Sequence, residues 1–526
     1  MMVFPKSDFK FLRDFLWVFW IAIVPFHPGA SFAAQDNLFE TVVEKAKILA
    51  ASDYQEAPPL DNALQELNYD QYRAITPGKE SVLWADKQDC RFRLQFFHSG
   101  YLFKRAVKMN LVDPETLATR PAPFDPAHFD YSKLVLDPPK DIGKVGAYAG
   151  FRITHPLHDN PENFDEIGSF LGSSYFRLLG RDQRYGISAR GLALNVAHHK
   201  APEEFPEFVE YWIVEPRPGD ETLTFYALLD SKSVAGAYRF EIYPGTSTDA
   251  RIEVALFFRN PVESIGMAPL TSMFWYGENS AEKRFHDWRP EVHDSDGLIF
   301  RSWNDETVWR PLFNSPGRIR FSFFNTPDVK GFGLMQRDRD FRNYQDLQNP
   351  YHLTPTAWIE PHGKWGEGAV RLVELPTTSE VLDNIVSFFE PRDPPRGGHL
   401  SPFRYGYTLS MKKNDEDSIS PERVEATRVG VDVRYPDTRR FVLDFNGPNL
   451  KQIPADGSVY AEISSGNNGF VNENQCFKNV ITGGWRVEFK LDTDDDNSDP
   501  IELRCLLRDP KTNQILSETW SYQWNP

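Results

Sequence analysis

Along most of the chain apolar residues recur at every second position, the pattern of strands that bury one face. Cys90, Phe92, Leu94 and Phe96 alternate with Arg91, Arg93 and Gln95. Beyond the turn His98-Ser99-Gly100, Phe103, Val107, Met109 and Leu111 are interleaved with Lys104, Lys108 and Asn110, and the spacing predicts a half-buried hairpin. Further strands are expected at 208–214, 223–229, 237–243, 252–258, 319–324 and 369–375. A helical period shows clearly only near the start, where Leu38, Val42, Ala46 and Leu49 follow Asn37, a candidate N-cap with Glu40 three residues on. Long helical patterns are scarce elsewhere, so the expected class is all-β, with a large antiparallel β-sandwich over residues 34–389.

The run Glu390-Pro391-Arg392-Asp393-Pro394-Pro395-Arg396-Gly397-Gly398 punctuates the chain and predicts a linker over 390–400. After it the two-residue period returns, in Phe441, Leu443 and Phe445, in Trp485, Val487, Phe489 and Leu491, and in Trp520, Tyr522 and Trp524. Roughly a hundred residues of short strands and turns predict an immunoglobulin-like sandwich over 401–526.

At 526 residues the chain exceeds one ordinary domain, in keeping with two sandwiches. Its 40 Pro, 33 Gly and 14% aromatic residues suit strands and turns, and aromatic faces can also stack on sugar rings. A formal net charge of -17 disfavours nucleic acid or an anionic membrane surface as the main partner and leaves a neutral ligand open. The N-terminus adds a compartment. Lys6, Lys10 and Arg13 precede an apolar run over 15–26, and Ser31-Phe32-Ala33 has the small-x-small form of a cleavage site. That run is shorter than the ~20 residues needed to span a bilayer, so a cleaved secretory signal over 1–33 is expected, with no twin-Arg pair. The three cysteines, Cys90, Cys476 and Cys505, form no CxxC motif, so no metal or redox site is expected. Cys476 and Cys505 share the C-terminal region and can pair after export.

GxSxG, P-loop and HExxH motifs are absent, and no cofactor is expected. What remains are carboxylates in aromatic, Gly-rich surroundings. One group is His293-Asp294-Ser295-Asp296-Gly297 after Trp288. Another is Gln336-Arg337-Asp338-Arg339-Asp340, and a third is Ser379-Glu380-Val381-Leu382-Asp383-Asn384. Glycoside cleavage needs one carboxylic acid to protonate the leaving oxygen and another to activate water or attack the sugar. Asp-rich turns also serve as Asx caps or pair with Arg, and spacing alone leaves both readings open.

Several motifs in order resemble the osmoregulated periplasmic glucan biosynthesis G/D family. They include Ser173-Ser174-Tyr175-Phe176-Arg177, Tyr185-Gly186-Ile187-Ser188-Ala189-Arg190-Gly191, Tyr226-Ala227-Leu228-Leu229-Asp230-Ser231, Ala268-Pro269-Leu270-Thr271-Ser272-Met273-Phe274, Trp309-Arg310-Pro311-Leu312, Trp358-Ile359-Glu360-Pro361 and Ser517-Glu518-Thr519-Trp520. The secretory-type signal is more similar to the G branch. The resemblance implies a galactose-mutarotase-like N-terminal sandwich with a cleft, an immunoglobulin-like domain, and a periplasmic role in making β-1,2-linked glucan with an inner-membrane glucosyltransferase. It implies inverting hydrolysis or transglycosylation, with Asp383 matching the general acid and Asp294 the general base, which acts through a relay. A homodimer is compatible with it. Near these motifs Tyr351, Trp358 and Trp365 are candidate platforms for glucose rings, and Arg190 and Tyr185 candidate donors to hydroxyls; core packing explains each equally well. Two functions therefore stand: a β-1,2-glucan-cleaving or -transferring enzyme, or a glucan-binding scaffold with little turnover.

Overall fold

A computed structural model describes residues 29–526 apart from 79–80, 137–140, 281–285, 396–397, 414–418, 436, 467–468, 494–498 and 526. The signal expected over 1–33 lies outside the described residues as far as residue 28. Two large sheets dominate. A ten-stranded sheet runs from Arg93–His98 through Tyr148–His155, Asp165–Leu171 and Tyr175–Leu178 to Ile385–Pro391, Gly368–Glu374 and Arg320–Thr326. A fourteen-stranded sheet faces it and includes Glu207–Val214, Leu223–Asp230, Val234–Tyr243 and Thr248–Phe258. Aromatic rings fill the gap between them: Phe170 meets Phe225 edge-on at 4.9 Å and Phe240 at 5.4 Å. The all-β class read from the alternation is the class observed.

The middle strands are buried on both faces. Phe225, Ala227 and Leu229, with Tyr238 and Phe240, point into the sandwich. Tyr226, Leu228, Ala235 and Ala237 point outward beneath the helix Gly29–Ala50, which covers them with Leu38, Phe39, Val42, Val43 and Ala46. The helix begins eight residues before Asn37, so Asn37 lies inside it, and its carbonyl accepts from Thr41 Oγ1 at 2.9 Å. The run Ala33-Ala34-Gln35 is made of good helix formers and carries the helix past the expected cap.

Two expectations are corrected by strand pairing. Arg93–His98 pairs with Tyr148–His155, whereas Lys108–Val112 runs parallel to Glu207–Val214 in the opposite sheet, so the two strands form no hairpin. The segment between them crosses from one sheet to the other. The strand Gly398–Lys412, assigned from sequence to the C-terminal unit, lies between Thr248–Phe258 and Thr356–Pro361 in the large sheet. The Pro- and Gly-rich stretch thus joins two strands of the larger sandwich, partly through residues outside those described.

At the C-terminus a four-stranded sheet, ordered Arg423–Val431, Arg439–Asn446, Trp485–Thr493 and Gly469–Lys478, faces Tyr460–Ser465, Ile501–Arg508 and Thr519–Trp524. Phe441 and Phe489 stack at 5.0 Å within its core, where Cys505 is buried and Cys476 half-buried as free thiols. The last strand continues the large sheet, pairing in parallel as Val308↔Thr519 and Trp309↔Trp520. Across this seam Arg337 donates to both carboxylate oxygens of Glu518, at 2.6 and 2.9 Å, and lies 3.5 Å above the Trp309 ring. Both side chains are almost wholly buried. Removing one partner strands a buried charge, so Glu518→Ala is expected to lower stability by about 3–5 kcal/mol in chemical denaturation. The double variant Arg337→Met/Glu518→Leu should regain most of that loss.

Candidate functional site

Asp383 stands at the mouth of a cleft of about 370 Å³ lined by Phe103, Arg105, Tyr175, Arg177 and Glu207. It precedes the strand Ile385–Pro391, and the next residue fixes it. The Asn384 side chain accepts from the Phe274 amide at 2.8 Å and donates to the carbonyls of Phe274 at 3.1 Å and Leu375 at 2.9 Å. These bonds satisfy a buried amide completely enough to hold the turn in one conformation. One residue back along the same strand edge, the Met273 carbonyl accepts from the Asp294 amide at 2.8 Å. Met273-Phe274 therefore anchors both carboxylates proposed from sequence.

Asp294 lies deeper and is not among the residues lining the cleft. A Cβ at Gly186 would fall 2.6 Å from its Oδ1, so only glycine leaves room there. Burial pushes the Asp294 carboxyl up to about 7; the charge of Asp383 adds to the rise, and His293 and Arg177 oppose it. Burial also raises Asp383, again with Arg177 opposing. Desolvation disfavours the ionised form of both acids, and the charge of Asp383 disfavours it further at Asp294. Behind Asp294, His293 holds Glu291 at 2.9 Å and Gln336 at 3.0 Å. Burial disfavours its charge, but the Glu291 hydrogen bond and the charges of Asp296, Glu291 and Asp338 outweigh that and raise it to about 9.

A second set of contacts joins the segments around the cleft. The buried Arg289 guanidinium donates to Asp287 at 2.8 and 2.9 Å, to Asp346 at 2.9 Å and to Glu380 at 2.7 Å. The Tyr351 hydroxyl donates to the same Glu380 oxygen at 2.6 Å. Tyr351 is thus beside the carboxylates, and the charge of Asp294 contributes to raising its phenol.

The other expected binding residues are engaged by protein. Tyr185 donates to Glu166 at 2.8 Å. Arg190 is buried, donates to Glu203 at 3.0 and 3.1 Å, and lies over the rings of Tyr175 and Phe205. Through Tyr175 it borders the cleft wall. Trp358 packs in the apolar cluster shared with the C-terminal sheets, and a Cβ at Gly331 would come within 2.1 Å of its indole. Trp365 donates to the Gly406 carbonyl at 3.2 Å and packs on Phe389 and Tyr405. These two indoles are therefore packing residues, brought near the acidic motifs in sequence only. Arg177, Arg289 and Asn384 take positions their motifs do not mark; Asn384 is the legible one, as a buried amide directly after Asp383.

A larger cavity of about 820 Å³ opens where the C-terminal sandwich joins the large sheet. Its Arg504 and Arg508 are paired with Glu306 and Glu462, and neither Asp294 nor Asp383 lines it. Among the described residues no group of three or more His, Cys, Asp and Glu is placed to hold a metal ion.

A carboxyl raised by folding binds its proton more tightly in the native state, so its contribution to stability is full below the ordinary carboxylate range and lost as pH rises through about 7. Asn at this position cannot ionise. Asp294→Asn is therefore expected to melt higher than wild type at about pH 8 and to show no such gain at about pH 4, in paired thermal melts.

The family model described as "Periplasmic glucan biosynthesis protein, MdoG" matches residues 38–524. A protein of Ralstonia nicotianae named "Glucans biosynthesis protein G" is 44% identical over 495 residues, covering 92% of this chain and 95% of the relative. Proteins of the same name from Pseudomonas aeruginosa and Serratia proteamaculans are 40% and 39% identical, covering 92% and 94% of this chain and the same shares of each relative. No helix among the described residues is long and apolar enough to cross a membrane. With a match that takes in both sandwiches and the cleft between Asp383 and Arg177, the chain belongs to the periplasmic glucan biosynthesis protein family.

Proposed function

We propose that this protein, exported by its N-terminal signal, cleaves or transfers β-1,2-linked glucan by an inverting mechanism, with Asp383 as general acid and Asp294 as general base. The observation that carries the reading is a pair of carboxyls, both of raised proton affinity, with Asp294 in the field of Asp383, one lining a cleft and the other outside its lining. An acid must hold its proton at working pH to give it to the leaving oxygen, and desolvation shifts Asp383 in that direction. Inversion needs the second carboxylate to draw a proton from water on the opposite face of the sugar. Because Asp294 does not line the cleft, the proton reaches it through intermediaries, and the hydrogen-bonded Tyr351–Glu380 pair lies within its electrostatic reach. The charge of Arg177 opposes the rise at both acids.

The depth of Asp294 also favours a second reading, a scaffold that holds glucan for an inner-membrane glucosyltransferase without cutting it. Reducing-end release from linear β-1,2-glucan separates the two. Wild type should release ends, and Asp383→Asn should lower the rate by about 10²–10⁴-fold while still binding the polymer. Equal binding by both proteins with no release or rearrangement of chains by either would leave the scaffold role.

The pair loses its protons in two macroscopic steps, and the singly protonated form is the active one. kcat/KM should accordingly follow a bell against pH, falling on the acid side as the pair becomes doubly protonated and on the alkaline side as it loses its last proton. A profile flat from about pH 4 to 9 would exclude this acid–base assignment.

A further inference from the structure

Each of the three carboxylates bound by Arg289 is followed at once in the chain by an exposed apolar side chain. Asp287 precedes Trp288, which is 66% exposed; Asp346 precedes Leu347, at 86%; Glu380 precedes Val381 and Leu382, at 81% and 60%. Large apolar residues this exposed are individually ordinary, but these four sit on three segments tied to one buried cation. The tie also fixes their backbones. The Arg289 amide and Nε both bind Asp287 Oδ1, at 2.8 and 2.9 Å, and Asp346 Oδ1 accepts from the amides of Gln348 and Asn349 at 2.8 and 2.9 Å. The guanidinium lies 5.9 Å from the centre of the Trp288 ring, on the same side chain that reaches Glu380, three residues before Asp383.

We propose that Trp288 is a sugar-stacking platform on the path to Asp383, with Leu347, Val381 and Leu382 completing an apolar rim for a neutral glucan chain. The inference rests on reading the Asp383 cleft as a glucan site. A pyranose ring shows an apolar face of C–H groups, and an exposed indole on a fixed backbone covers that face with little entropy to lose. Charge argues for the same occupant. Among the described residues the one cation in this hub is buried and answered by three carboxylates, which leaves the described rim apolar and gives an anionic headgroup or polymer no counter-charge there. Trp288 is exposed, so truncating it leaves the hub and the fold in place.

The test labels the protein with 5-fluorotryptophan in the Asp383→Asn background, so that glucan binds without being consumed. The Trp288 resonance is assigned as the one missing from Trp288→Phe. Linear β-1,2-glucan should shift that resonance saturably. Trp288→Ala should weaken binding about tenfold, or about 1.4 kcal/mol, with Trp288→Phe retaining most of the affinity. In the active protein the same Trp288→Ala change should raise KM with kcat within about twofold of wild type. Glucan binding that leaves the Trp288 resonance and the affinity of Trp288→Ala unchanged overturns this inference while the glucan-site reading stands. No glucan binding by the Asp383→Asn protein fails that reading itself. A resonance that moves with phosphatidylglycerol vesicles and not with glucan assigns the rim to a lipid surface and likewise overturns the proposal.

Discussion

A cation taken out of water must find compensation, and Arg289 finds it three times over, in Asp287, Asp346 and Glu380. The energetics of such a cluster are asymmetric. Assembling it gains little over an apolar core of the same shape, but deleting one member leaves uncompensated charge behind. The three segments that carry the carboxylates are consequently held in one arrangement. Glu380 passes that arrangement on, since it receives both Arg289 and the Tyr351 hydroxyl and stands three residues before Asp383. The shape of the cleft mouth on this side thus depends on one guanidinium.

Neutral hydrogen bonds do the complementary work at the carboxylates themselves. Asn384 and the Met273 carbonyl fix the chain at Asp383 and Asp294 without adding charge near either. Burial is then free to raise both acids, with Arg177 as the opposing field. Had the charged hub been built directly against Asp383, its cation would have held the carboxyl ionised and removed the proton an acid catalyst donates. Placing the strong ion pairs around Arg289 and the uncharged amide beside the acid separates rigidity from proton affinity.

The strands were legible because alternation is local: a residue and its second neighbour share a face whatever the rest of the chain does. Which sheet a strand joins is not local. The segments around Phe92–Phe96 and Met109–Leu111 have the spacing of a hairpin and lie in opposite sheets. The Pro- and Gly-rich stretch after Glu390 has the composition of a linker, but a crossover between the two sheets of one sandwich needs the same residues. In the candidate site, family motifs point to Asp294 and Asp383, and Tyr351 is named for its place near them; the structure sets Tyr351 against Glu380 and in the field of Asp294. Trp358 misled because sequence nearness says nothing about direction. Its neighbours Ala357 and Ile359 point into the larger sandwich, so Trp358 must point to the other face, towards the C-terminal cluster. Arg289 was hidden for a different reason: its partners lie 2, 57 and 91 residues away, and no periodicity connects them.

The net charge of -17 takes on a different meaning once these contacts are known. Much of the charge that matters near the cleft is internal and paired, as at Arg289 and, across the seam, at Arg337 and Glu518. What the Arg289 hub turns outward is an indole and aliphatic side chains. A neutral polysaccharide offers a protein two kinds of surface, hydroxyl edges and apolar ring faces. On the proposed function, an apolar rim beside a polar cleft answers both, with the rim holding the chain at several registers while the polar groups at Asp383 act on one bond. Burying the ion pairs is what permits this division, since an exposed guanidinium in the same place would keep its water and cover no ring face.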